Sequence, residues 1–526
     1  MFSSTCATFA VCSSTDLLRG SAESYRHTTT INMLPDNVFL DIFELGVSEW
    51  QRLVHVCRRW RYIIFASPRR LDLTLLCTYG TSVKKNLSCW PPLPIIVDYF
   101  TWDNRAFPPD YEDDITAALE YPDRIHSIKL AVTSPLLEVV TSVMQEPFPA
   151  LTTLWLTSKD RNVPVLPDVF LGGSAPRLQQ IYLVGISFLA LPTLLLSASD
   201  LVDLRLEDIP KNCSILPAAM VTGLAALPRL DTLWIQLKSQ TPRLAQSHLS
   251  LLQRDVLPSL ITFNFRGSSE YLEHLLARID TPRLHCFEIT YFNQLDFQVP
   301  QLSQFVRRTE SLELLPSRNA QVRVYPNNVD VKLGCEGEGH GRSRLTLRIS
   351  CKWLEWQVSH LAQILGQSLA MVSSVEHLSV DGDVLQHELE LGWQGEIEAT
   401  DWLELFRLFT AVKTLYGSKQ LAGHISLALD SLSGEVVTEV LPALDSLWLE
   451  GQLARSVERF IVARRLSSHP VNVNFVDLGR CEFYVLWRLL LGCITSDSST
   501  TASYASPFRC PRRRICCSYI HGRRLK

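Results

Sequence analysis

The sequence predicts an α/β chain in which a small all-α N-terminal segment precedes an irregular solenoid of strand–helix units. Three observations carry that expectation. Across residues 34–70, apolar side chains recur with helical spacing. From Ile125 onward a six-residue pattern, Leu-x-x-Leu-x-Leu, keeps returning. The bulk properties are those of a large globular chain, with 526 residues, 46% of them apolar. Its net charge of −4 exerts no general pull toward nucleic acid or anionic membrane.

Residues 1–30 are rich in Ser, Thr and Ala, hold only Asp16 and Glu23 as acids, and read as a disordered tail. No basic stretch precedes the short apolar patch at 8–12, so a signal peptide is not expected. Pro35 suits the first turn of a helix, where its missing N–H is unpaired in any case. Val38, Ile42 and Leu45 follow at i, i+4 and i+7, with Phe39 and Phe43 beside them. Trp50, Leu53, Val54 and Cys57 mark a second short helix. A third runs from Trp60 through Ile63 and Ile64 until Ser67-Pro68 ends it, because the residue before proline is pushed out of the α region. A segment this small cannot bury so many large apolar groups, and the surplus implies a partner.

The LPDNVFLDIF opening, the LVHVCRRWRYI run and their spacing resemble an F-box, here assigned to residues 31–75. The continuation through LDLTLLCTYG and CWPPLPI resembles the form found in large fungal F-box families. Where that family often carries Leu-Trp, this chain reads Arg70-Leu71. The resemblance implies docking on the Skp-type adaptor of a cullin–RING ubiquitin ligase. It also implies that Leu34, Pro35, Ile42, Phe43, Leu53, Val54, Cys57 and Trp60 supply the adaptor contact and the small core behind it. The residues themselves leave two other readings open. One is a plain three-helix bundle. The other is a phosphate-facing helix, since residues 51–70 hold six arginines and no acid.

Residues 76–490 are expected to form the solenoid. Its units begin at Ile125, Leu151, Leu178, Leu201, Leu230, Leu260 and Leu284, then less regularly at Thr309, Arg342, Val375, Val412 and Leu444. Helical stretches lie between several of them, as where Ser268-Ser269 can cap a helix carrying Leu272, Leu275 and Leu276. The alternation resembles a leucine-rich-repeat solenoid, whose units must stack because each has an apolar edge that only a neighbour covers. A conventional α/β domain with leucine-rich strands is the alternative. In each strand the last two leucines point inward, so the residue between them faces the concave side. That column reads Lys129, Trp155, Tyr182, Arg205, Trp234, Asn264, Glu288, Glu313, Thr346, Ser379, Tyr416 and Trp448. Trp155, Tyr182, Arg205 and Trp234 are therefore expected to bind an unknown target protein, as aromatics and arginine do at interfaces.

Residues 491–526 form a polar, then basic tail ending in Arg523-Arg524-Leu525-Lys526. Fourteen cysteines without Cys-x-x-Cys spacing fit a reduced compartment, cytoplasmic or nuclear. No run reaches membrane-spanning length; the nearest, 483–494, contains Arg488. The glycine-rich stretch 334–341 carries Glu336 and Glu338, which repel phosphate, and Cys510, Cys516, Cys517 and His521 are irregularly spaced for zinc. The expectation is a chain with no catalytic residues, no cofactor and no metal. Its partners would be a Skp-type adaptor, the cullin complex and a target protein, with no membrane and no nucleic acid.

Overall fold

A computed structural model of the chain describes residues 31, 34–45, 50–80, 82–100, 111–160, 162–210, 215–238, 254–292, 297–313, 318–334, 344–350, 354–368, 370–382, 397–432, 436–450 and 457–476. The expected tails at 1–30 and 491–526, the 483–494 run, nearly all of the glycine-rich stretch and the C-terminal cysteines lie outside them. The chain divides into two compact units, Met1–Leu130 and Ala131–Lys526.

In the first unit, helices α1 (Asp36–Glu44), α2 (Trp50–Leu53) and α3 (Arg58–Ala66) occupy the segment with helical spacing. Pro35 stands just before α1, and its carbonyl accepts from Val38 and Phe39. Cys57 caps α3, its sulfur accepting from the Trp60 N–H at 3.5 Å. The core is aromatic: Phe39, Phe43 and Trp60 lie with ring centroids 5.0 to 5.7 Å apart. Such pairs add about 0.5–1.5 kcal/mol beyond burial alone. Arg59 lies over the Phe39 ring and donates to the Leu34 carbonyl and Asp36. Arg70 bridges Asp41 and Glu44. A second cluster joins Trp50, Phe65 and Trp90, with the Trp50 indole donating to the Thr74 carbonyl at 3.2 Å. Beyond α3, strands β1 (Leu75–Cys77), β2 (Ile95–Tyr99) and β3 (Ile125–Val132) pair in parallel, with helices α4 (Val83–Cys89) and α5 (Tyr111–Leu119) in the connections.

The second unit carries β4 (Thr153–Ser158), β5 (Gln180–Val184), β6 (Asp203–Ile209), β7 (Thr232–Leu237), β8 (Asp255–Val256), β9 (Thr262–Gly267), β10 (Ile279–Asp280) and β11 (Cys286–Tyr291). They are followed by β12 (Asn319–Tyr325), β13 (Asn328–Leu333), β14 (Leu345–Ser350), β15 (His377–Gly382), β16 (Thr414–Gly417), β17 (Ser446–Glu450) and β18 (Asn472–Val476). The long sheet runs β4, β5, β6, β7, β9, β11 in parallel, then β14, β13, β12, then β15 to β18 in parallel again. The short β8 and β10 pair separately. Each regular strand starts two residues after a leucine that opens a unit, and its two inward leucines, such as Leu154 and Leu156, are buried.

Neighbouring units are stitched at their helix ends. The buried Glu273 carboxylate accepts from the Gln301 and Leu302 N–H groups at 2.6 and 2.9 Å, filling donors that open the helix Pro300–Arg308. Asp160 does the same for Ser134 at the helix Ser134–Val143. Arg308 reaches the Leu276 and Ile279 carbonyls and Asp280, and the buried Arg464 reaches the Val437, Pro442 and Leu444 carbonyls.

Two expectations are corrected. The unit placed at Thr309 is helical, Glu310–Glu313, so Glu313 has no place in the strand column. Thr309 and Glu310 there occupy a helix start, where acids are favoured, and Leu312 is buried. In its stead the antiparallel meander β12–β13–β14 enters the sheet in reverse order, turning at Pro326-Asn327. Its pattern, VRVYPNNVDVKL, alternates apolar and polar residues around a turn-forming Pro-Asn pair.

Candidate protein-binding surfaces

The three N-terminal helices leave several large apolar groups in water. On α1 the stripe Phe39, Leu40 and Phe43 is buried, while Ile42 is 42% and Leu45 91% exposed. Val56, 60% exposed, and Tyr62, 73% exposed, continue the set after α2 and on α3. A shallow groove on α3 is lined by Arg58, Arg61, Tyr62, Phe65 and Ala66. Arg59 and Arg70 are committed to acids, and Arg61 donates to the Val54 carbonyl.

Of the residues expected to contact an adaptor, Pro35, Ile42 and Cys57 are exposed, and Leu34, Leu53 and Trp60 are half-buried. Phe43 and Val54 are not surface groups. Both are buried, because Phe43 packs on Phe39 and Trp60 and Val54 closes the turn after α2. They belong to the core behind the surface. Leu45, Val56 and Tyr62 were missed as surface residues. Their signal was the surplus itself: Val38, Ile42 and Leu45 share one helix face, Phe39 and Phe43 another, and α1 has only one core.

In the second unit the strand pairing brings the expected target-binding residues together. Trp155, Tyr182, Arg205, Trp234, Asn264 and Glu288 are register partners across β4, β5, β6, β7, β9 and β11. The row continues through Thr346, Lys332, Gln321, Ser379, Tyr416 and Trp448 to Asn474. Gln321 and Lys332 thus hold the place expected for Glu313. Trp155 and Tyr182 meet edge to face at 4.5 Å, and the Arg205 guanidinium lies 5.9 Å from the Trp234 ring centre. The Arg205 guanidinium donates from Nε and Nη2 to the Asp203 carboxylate, which holds its pKa above the ordinary value. Burial pushes the Tyr182 phenol up to about 12, and the adjacent Glu207 carboxylate, to which it is hydrogen-bonded, adds to this. Burial likewise raises Glu207. A register shift after Leu206 sets Asp208 in the left-handed region at φ 53°, where its carboxylate accepts from Gln236 at 3.0 Å.

A different electrostatic character marks the meander. Asp330, wholly buried, is register partner to Arg348 on one side and Arg323 on the other, and Arg323 in turn faces Asp381. Asp330 and Arg348 bond at 2.8 Å, and Gln321 and Ser379 both donate to Asp381. Among the described residues no group of three or more His, Cys, Asp or Glu side chains could hold a metal, and no helix is long and apolar enough to cross a membrane.

Comparison with known proteins gives two findings. The chain is similar, at 12% identity and a TM-score of 0.25, to the solved leucine-rich repeat-containing protein LegL7 from Legionella pneumophila, covering 75% of this chain and 98% of that one. No curated protein matches. The family match falls on the module with the exposed apolar face: residues 31–71 carry an F-box-like domain.

Proposed function

We propose that this chain is the substrate-recognition subunit of an SCF-type ubiquitin ligase, of the kind found in fungal F-box families. The reading rests on one observation, that the F-box-like helices keep Ile42, Leu45, Val56 and Tyr62 in water. Being only partly buried, each of these side chains forgoes at most roughly 1.5–3 kcal/mol of burial, a cost that docking on a Skp-type adaptor would recover. Leu34, Pro35, Leu53, Cys57 and Trp60 would join the contact, with the buried Phe43 and Val54 supporting it from within. The adaptor would couple the chain to a cullin, and Trp155, Tyr182, Arg205 and Trp234 would hold a target protein. The chain itself performs no chemistry in this reading. It raises the local concentration of target near the ubiquitin-charged enzyme, which is catalysis by proximity. The cytoplasm or nucleus is the compartment in which such a complex would work.

The test is affinity purification of the full chain from cells. Cullin and Skp-type adaptor are expected with the wild type and lost with Leu34→Asp or Ile42→Asp. Recovery of adaptor without cullin, and no ubiquitination of any captured protein, would favour a leucine-rich-repeat scaffold that does not direct ubiquitination.

A further inference from the structure

The C-terminal end of the array is open. On β17 the inward Leu447 and Leu449 are wholly buried, whereas Val473 on β18, the register partner of Leu447, is only half-buried. β18 closes the strand order, and its outer edge pairs with no strand among the described residues. The helices change in the same way. Of nine residues each, Ala399–Arg407 buries four and Ala422–Asp430 five, but the helix Glu458–Leu466 buries only Phe460 and Arg464. Val462, 54% exposed, and Leu466, 82% exposed, stand one turn apart on a face that no described element covers. A repeat unit finds cover only from its neighbour, so an end of this kind requires a cap.

The residues that follow β18 lie outside the described residues, but their sequence suits that cap. Phe483, Leu486, Trp487 and Leu490 recur at i, i+3, i+4 and i+7, one apolar helix face, and Arg488 falls on the far side. Phe483 stands seven positions beyond Val476, the end of β18, much as Glu458 opens its helix eight positions beyond Glu450, the end of β17. The stretch 483–491 also matches the nine-residue length of the helices Ala399–Arg407, Ala422–Asp430 and Glu458–Leu466. It is too short to span a bilayer, which takes about 20 residues. The connection 477–482 can reach roughly 20 Å. So short a tether holds the stretch beside the array at an effective concentration on the order of millimolar, ahead of a second copy of the chain. We infer that residues 483–491 form a helix that lies against Glu458–Leu466, covers Val462 and Leu466, shields Val473 and closes the array. The inference does not depend on adaptor docking.

The experiment is hydrogen exchange, read by mass spectrometry on the full chain. Amides of 483–491 should exchange about tenfold or more slowly in the wild type than in Leu486→Asp with Leu490→Asp. That double variant should also speed exchange across 458–476, while β5 to β7 stay unchanged and show that the rest is folded. Val462→Asp with Leu466→Asp, two exposed positions, should release 483–491 to a similar extent, and Arg488→Asp should not. Fast exchange of 483–491 in the wild type, or protection that Val462→Asp with Leu466→Asp leaves intact, would overturn the inference. Protection lost on dilution, with a dimer in sedimentation, would assign the cover to a second copy and overturn it as well.

Discussion

The F-box-like helices and the repeats face the same problem, how to cover apolar side chains, and solve it differently. In the repeats, each strand hands its inward leucines to the next unit, so Leu154, Leu183, Leu204 and Leu233 are all buried. Helix ends are stitched to neighbours by Glu273, Asp160, Arg308 and Arg464. In α1 only one stripe has a core to enter. Phe39 and Phe43 take it, and Ile42 and Leu45 stay outside. An array covers its leucines by repetition, whereas the three-helix module leaves Ile42 and Leu45 in water. Apolar periodicity alone does not distinguish the two cases.

Substitutions that exchange the two environments should break that contrast. The largest effect is expected at Phe43, 2% exposed within the aromatic core, where Phe43→Ala should cost about 3–5 kcal/mol, read as a lowered denaturation midpoint of the first unit. Leu204→Ala in the array should cost about 2–5 kcal/mol by the same measure. Glu273→Ala, which strips two buried backbone donors of their acceptor, should cost about 1–3 kcal/mol.

A pH titration sharpens the account of that stitch. Burial raises the Glu273 carboxyl from its ordinary 4.5 to about 7, against the two backbone hydrogen bonds that lower it. Because the folded value lies above the unfolded one, the group's contribution is full below about 4.5 and is lost as pH rises through about 7. The melting temperature of the wild type should therefore fall across that window relative to Glu273→Gln, in which the position cannot ionise. Parallel curves would show that the carboxylate carries no such linkage. The smallest stability effect is expected at the spare surface: Tyr62→Ser should move the midpoint by no more than about 0.5 kcal/mol. Its effect should appear in adaptor capture instead.

Much of this was legible in the sequence, for definite reasons. The repeats announced themselves because strand period and leucine spacing agree, and Trp155, Tyr182, Arg205 and Trp234 fall in register as the alternation required. The Ser268 cap was read correctly from one serine pair. Of the meander, β14 was found as the unit at Arg342, whereas β12 and β13 escaped because they carry mostly valine, so leucine spacing passed over VRVYPNNVDVKL and settled on the helical Glu310–Glu313 instead. Strand β1 was passed over because its three residues, Leu-Leu-Cys, are too short to show the pattern, β2 because it is rich in Ile and Val, and β18 because Asn interrupts it. On α1, spacing identified two apolar stripes but not which one the core would take. That choice depends on where Trp60 packs, which is tertiary information.

The central claim is that the spare apolar face of the F-box-like module docks a Skp-type adaptor. The most direct measurement is calorimetric titration of purified adaptor into the full chain, comparing the wild type, Ile42→Asp with Leu45→Asp, and Leu196→Asp, an exposed leucine of the second unit. The account predicts binding by the wild type and by Leu196→Asp, and none by the α1 double variant, with all three equally folded. Undiminished binding by the double variant, or no binding by the folded wild type, would contradict it.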